Sequence, residues 1–111
     1  MISRFALDHW YTMMLSFIDR KLTDGVKIIV KDRIYQANGQ ELYGETIPDH
    51  ELEDCYSVMV SKNSNQVATL IHEFLHKMFP DQDEEFIGQL EKEIVVSLTT
   101  DQLKKFEKYL R

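Results

Sequence analysis

Two histidines and a glutamate in the second half of the chain have the spacing of a metal-dependent hydrolytic site. His72, Glu73 and His76 form an H-E-x-x-H pattern within "ATLIHEFLHKMFPDQDEEF", residues 68 to 86. Histidines one helical turn apart leave the same face of a helix with Cβ atoms about 5–6 Å apart, so both imidazoles can reach one metal ion. The glutamate is then placed to take a proton from a metal-bound water. The simpler alternative is an amphipathic helix that carries two solvated histidines.

Such a site needs a further ligand, because catalytic zinc usually has three protein ligands and one open position. Pro80 breaks the histidine helix, and an acid-rich stretch then leads into the next helix. We predict that Glu84, at the start of that helix, is the third ligand. Glu85 is the main rival, because the first residue of a helix cannot be fixed from sequence. Glu91 lies further along and is a candidate acceptor for an imidazole N–H.

The histidine helix is predicted over about residues 65–78, where the apolar residues recur at helical spacing. Ser64 or Asn65 can cap its first turn. The histidines lie nearly opposite the middle of its apolar stripe, whereas a core histidine would lie within that stripe. The stripe consists of Val67, Leu70, Ile71, Phe74, Leu75 and Met78.

Two further helices are predicted after Pro80. The first covers about residues 83–97, with Asp81 or Asp83 as its cap. Thr99 is followed by Gln102 three residues on, which is a capping-box spacing and predicts a short last helix ending near residue 110.

The first half of the chain reads as one helix followed by strands. A helix is predicted from about residue 5 to residue 21, and Asn38-Gly39 is a strong hairpin signal. Strands are predicted near residues 26–30, 33–37, 40–45 and 56–61. The order of elements predicts an α+β fold in which helices pack on one side of a small, mostly antiparallel sheet.

Composition limits the classes of protein. The 111 residues predict a single domain over residues 1–111, and the formal net charge of −6 with few clustered cations argues against a nucleic-acid ligand. Cys55 is the only cysteine, so no internal disulfide is possible. No apolar run is long enough to span a bilayer, and the first residues lack the pattern of a signal peptide. We therefore expect a cytoplasmic protein without membrane contact.

Residues 43–94 resemble a known family. The stretch "YGETIPDHELEDCYSVMVSKNSNQVATLIHEFLHKMFPDQDEEFIGQLEKEI" is similar to minimal gluzincin-type zinc metallopeptidases, which belong to the HExxH zincins, and to the short metallopeptidase-like proteins of phages and prophages. The resemblance implies a zincin-like active-site helix, Zn²⁺ as cofactor with His72, His76 and Glu84 as ligands, and Glu73 as general base. It thus implies hydrolysis of peptide bonds by a zinc-activated water.

The resemblance also implies where a peptide would bind and what could cover the site. Residues 56–61 would be an edge strand to which a peptide or protein substrate adds as an antiparallel strand. The last helix could lie over the cleft and hold the enzyme latent. Tyr43, Tyr56 and His50 are open alternatives for stabilising an oxyanion. The alternative function is a non-catalytic protein-binding module that keeps the zincin architecture.

Overall fold

A computed structural model describes residues 4–48 and 55–111 and contains four α-helices in this part of the chain. They are α1 (Arg4–Thr23), α2 (Gln66–Met78), α3 (Glu84–Ser97) and α4 (Thr100–Glu107), and a 3₁₀ turn follows at Lys108–Leu110. None of the helices described is long and apolar enough to cross a bilayer. With the strands below, these helices confirm the predicted α+β class.

The strands form one mixed sheet and one small hairpin. The strands are β1 (Lys27–Lys31), β2 (Ile34–Tyr35), β3 (Glu41–Leu42), β4 (Gly44–Pro48) and β5 (Tyr56–Ser61). In the three-stranded sheet the order is β1-β5-β4, with β1 parallel and β4 antiparallel to β5. β2 and β3 form the predicted antiparallel hairpin, and its turn contains Gly39 at φ +88°. The main sheet is therefore mixed, which the hairpin signal alone did not indicate.

The prediction that residues 56–61 form an edge strand is wrong. β5 is the central strand and has hydrogen-bonded neighbours on both sides. Val58, Met59 and Val60 are all buried, as expected for a strand covered on both faces. The predicted strand at 40–45 is in fact split between β3 and β4. Within the described residues, β4 has no strand on its outer side, so it is the antiparallel edge next to α2.

The helix caps follow the local sequence signals. Asn65 accepts a hydrogen bond from the backbone of Ala68, and Asp83 caps α3 in the same way. Thr99 and Gln102 form the complete capping box at the start of α4. These caps set the first residue of each helix, and so they determine that Glu84 begins α3.

One hydrophobic core joins a face of the main sheet to all four helices. Phe106 of α4 is fully buried in this core and contacts the ring of Tyr11 edge to face. The hydroxyl of Tyr109 donates a hydrogen bond to Asp19 of α1 at 2.7 Å. The last helix is thus part of the core, and these contacts give no support to the cover over the histidines that the family resemblance suggested.

Candidate metal centre

His72, His76 and Glu84 meet at one point between α2 and α3. The Nε2 atoms of the two imidazoles are 3.2 Å apart. One carboxylate oxygen of Glu84 lies 2.7 Å from Nε2 of His72, and the other lies 2.8 Å from Nε2 of His76. Among the described residues, this trio is the group whose ligand atoms lie close enough to hold a metal ion. The predicted rival Glu85 does not belong to it.

The turn between the two helices brings Glu84 back to the histidines. α2 ends at Met78, the amide N–H of the cap residue Phe79 bonds to the carbonyl of Leu75, and Pro80 prevents the helix from continuing. The ring of Phe79 packs edge to face against Trp10 of α1 at 5.2 Å and against Phe86 of α3 at 6.1 Å. These aromatic contacts hold the turn, and with it the start of α3, beside the last turn of α2.

Glu91 fixes the orientation of His72. Nδ1 of His72 lies 2.8 Å from a carboxylate oxygen of Glu91, one of the roles the sequence left open for this residue. An ionised carboxylate only accepts hydrogen bonds, so Nδ1 carries the proton and, in the neutral ring, Nε2 keeps its lone pair. That lone pair points into the cluster toward the carboxylate of Glu84. Acceptors this close repel one another unless a positive charge, either protons or a metal ion, lies between them.

The cluster could hold a metal ion, and zinc provides a test of its spacing. Bond lengths of about 2.0–2.1 Å in a tetrahedral arrangement put two ligand atoms roughly 3.3 Å apart, close to the 3.2 Å between the two Nε2 atoms. The contacts from Glu84 are about half an ångström shorter than this spacing, and its side chain is 72% exposed. Two imidazoles and one carboxylate are also a known ligand set for catalytic zinc.

Glu73 lies between the cluster and β4. Its carboxylate accepts a hydrogen bond from the hydroxyl of Thr46 at 3.0 Å. Burial raises the pKa of Glu73, and the Thr46 hydrogen bond and the neighbouring His72 and His76 partly offset that rise. A raised pKa suits a base that must take up and release a proton near neutral pH.

The edge strand approaches α2 closely at this point. A Cβ atom on Gly44 would lie 2.5 Å from Cγ2 of Thr69 and 3.2 Å from Cγ of Glu73, so only glycine fits without a shift. Thr69, Glu73 and Lys77 are spaced four residues apart and follow one another along α2. Glu73 touches β4 directly, and the ammonium of Lys77 lies 4.5 Å from the ring centroid of Tyr56.

The candidates for an oxyanion stabiliser are not brought together. The hydroxyl of Tyr56 is buried without a hydrogen-bond partner in the part of the chain described here, and burial raises the pKa of Tyr56 to about 12. Tyr43 is 60% exposed, next to Gly44. His50 lies outside the described residues. The buried Tyr56 hydroxyl is not accessible to a substrate oxygen in this arrangement.

Sequence reasoning missed the contributions of Thr46 and Gly44. Both lie on β4 and face α2, at positions two residues apart as strand periodicity requires. A glycine two residues before a threonine is a weak signal by itself. It becomes informative only when the strand is known to lie against the helix that carries Glu73.

No family model, curated protein or solved structure matches this chain. The functional interpretation therefore depends on the residues of this chain and their geometry.

Proposed function

We propose that this protein is a zinc-dependent metallopeptidase of the gluzincin type, acting in the cytoplasm on peptide or protein substrates. The convergence of His72, His76 and Glu84 beside Glu73 is the observation that carries the proposal. These three side chains would hold the zinc ion, which as a Lewis acid polarises a substrate carbonyl and makes water a better nucleophile. The single free cysteine, Cys55, agrees with a reducing compartment.

Glu73 has the position and environment of the general base. It accepts a proton from the water that attacks the carbonyl carbon of the peptide bond, and a C–O bond forms. It then gives that proton to the leaving nitrogen as the C–N bond breaks, so the products are a carboxylic acid and an amine. Its partly buried carboxylate, next to two imidazoles, favours this exchange of a proton.

The edge of β4 replaces β5 as the proposed position of the substrate. The amide of Ser61 donates to the carbonyl of Tyr43 at 2.8 Å, so these residues form a hydrogen-bonded pair. Bonded and non-bonded pairs alternate along an antiparallel ladder, and therefore the N–H and C=O groups of Gly44 and Thr46 point away from β5. A peptide that adds to this edge would pair with the two residues nearest Glu73.

The test measures zinc content and peptide hydrolysis in the wild type and two variants. We expect about one zinc per wild-type chain, loss of zinc in His76→Ala, and retained zinc without hydrolysis in Glu73→Gln. His9→Ala is the matched control, because His9 is an exposed histidine on α1. Turnover by Glu73→Gln equal to that of the wild type would disprove the mechanism. Zinc binding without hydrolysis of any unfolded substrate would instead support a binding module.

A further inference from the structure

One residue of the edge strand contacts the general base directly. The hydroxyl of Thr46 donates its hydrogen bond to Oε1 of Glu73 at 3.0 Å, and the bond is partly buried. One carboxylate oxygen of Glu73 therefore accepts the hydrogen bond from Thr46, and the second oxygen remains to accept a proton from water. The β-branched Thr side chain has restricted χ1 rotamers on a strand, so it holds this direction with little loss of entropy.

The stem of Glu73 is held by the same strand. The 3.2 Å separation between Cγ of Glu73 and a Cβ built on Gly44 shows how closely the backbone of β4 packs against this side chain. Glu73 is thus fixed at two points, its methylene stem by Gly44 and one oxygen by Thr46. Both contacts come from β4, whereas α2 carries the backbone of Glu73.

Thr46 also presents its backbone N–H and C=O to the open side of β4, as the pairing with β5 requires. Its side chain and its main chain therefore face two different partners, the base on one side and an added strand on the other. Thr46 alone therefore links the register of a bound peptide to the orientation of the Glu73 carboxylate.

We infer that Thr46 is a positioning residue, which holds the Glu73 carboxylate in the orientation needed for proton transfer and couples it to the strand that receives the substrate. The inference deepens the proposed peptidase function and rests on it for its effect on turnover. The contact between Thr46 and Glu73 can be tested without turnover.

The experiment compares Thr46→Val, which keeps the shape and removes the hydroxyl, with Thr46→Ser, which keeps the hydroxyl. Thr12→Val is the matched control, because its hydroxyl bonds within α1, to the carbonyl of Asp8. The first readout is the order of the labelled Glu73 side chain by NMR in metal-free and zinc-loaded protein. The second readout is kcat and KM for a peptide, with zinc content measured in every variant.

In Thr46→Val we expect the Glu73 side chain to average over several orientations in the NMR measurement, while the zinc content stays unchanged. We expect kcat to be about 10- to 100-fold lower than in the wild type and KM to stay close to the wild-type value. KM should change little because the backbone groups of β4 that would pair with substrate remain. Thr46→Ser should restore both the order of Glu73 and most of kcat. Thr12→Val should match the wild type in all readouts.

A Thr46→Val variant with an ordered Glu73 and wild-type kcat would overturn the inference and leave the proposed function intact. If the wild-type protein binds zinc and hydrolyses nothing, the proposed function fails. The NMR comparison would then still decide whether Thr46 positions Glu73.

Discussion

Glu91 accepts a hydrogen bond from Nδ1 of His72 at 2.8 Å, on the side of the imidazole opposite to Glu84. The ring of His72 is therefore held between two carboxylates of α3, one at its start and one two turns later. A carboxylate in this position fixes the tautomer that leaves Nε2 free for a metal, and it makes that nitrogen a stronger ligand.

Removal of Glu91 should weaken zinc binding without removing a ligand. We expect Glu91→Ala to lower zinc affinity about 10- to 100-fold, measured by competition with a chelator of known affinity. Glu93→Ala is the matched control on the same helix and should bind zinc as the wild type does. Equal affinities in the two variants would show that Glu91 does not support His72.

The two glutamates at the start of α3 should differ sharply. Glu84 contacts both imidazoles, whereas the exposed Glu85 belongs to the first turn of the helix, where negative charge is favourable. We expect Glu84→Ala to lose zinc during dialysis and Glu85→Ala to keep about one zinc per chain, as measured by metal mass spectrometry. Retention of zinc by Glu84→Ala together with its loss from Glu85→Ala would require a different arrangement of the turn after Pro80.

Gly44 should be required for steric reasons alone. Its φ is not positive, so alanine is compatible with the backbone, but the new Cβ would lie 2.5 Å from Cγ2 of Thr69. We expect Gly44→Ala to lower the free energy of unfolding by about 1–3 kcal/mol in urea titrations. Thr69→Ser removes that methyl group and keeps the hydroxyl that bonds Ser64, so the double variant should recover part of the loss.

Gly88→Ala is the control for this steric argument. A Cβ at this position in α3 meets no atom within 4 Å, so the substitution should raise stability by about 0.5–1 kcal/mol through helix propensity. If the double variant Gly44→Ala, Thr69→Ser is no more stable than Gly44→Ala alone, the strain lies elsewhere, at Glu73 or in the strand itself.

The cluster was predictable because its determinants are local. Two histidines one turn apart, a proline that ends the helix, and a cap at Asp83 bring Glu84 close to the imidazoles through a short piece of chain. Local signals also located the other caps, because a cap depends on residues three positions away.

The sheet was harder to predict because its pairings are distant in sequence. Lys27 pairs with Ser57 in parallel, and no local pattern indicates which strand comes to lie between two others. The family resemblance suggested an edge strand at residues 56–61, although the burial of Met59 beside Val58 and Val60 marks a central one. The role of Thr46 depends on this register, and so it could not be found from spacing alone.

The stability of the metal-free protein should depend on pH through Glu73. Burial raises the pKa of Glu73 in the folded state, so the folded protein binds this proton more tightly than the unfolded chain does. Glu73 therefore stabilises the fold at low pH, and this contribution is lost as the pH rises through the raised pKa. Glutamine has no charge to desolvate. Glu73→Gln should thus gain stability over the wild type, both measured in chelator, as the pH rises toward about 8 through the raised pKa of Glu73.

The same comparison at lower pH provides the internal check. As the pH falls below the ordinary glutamate pKa of about 4.3, Glu73 becomes protonated in both states and the advantage of Glu73→Gln should shrink. Urea unfolding of both proteins at each pH measures the difference. A wild type more stable than Glu73→Gln at about pH 8 would mean that Thr46 and the two histidines favour the ionised carboxylate more than burial opposes it.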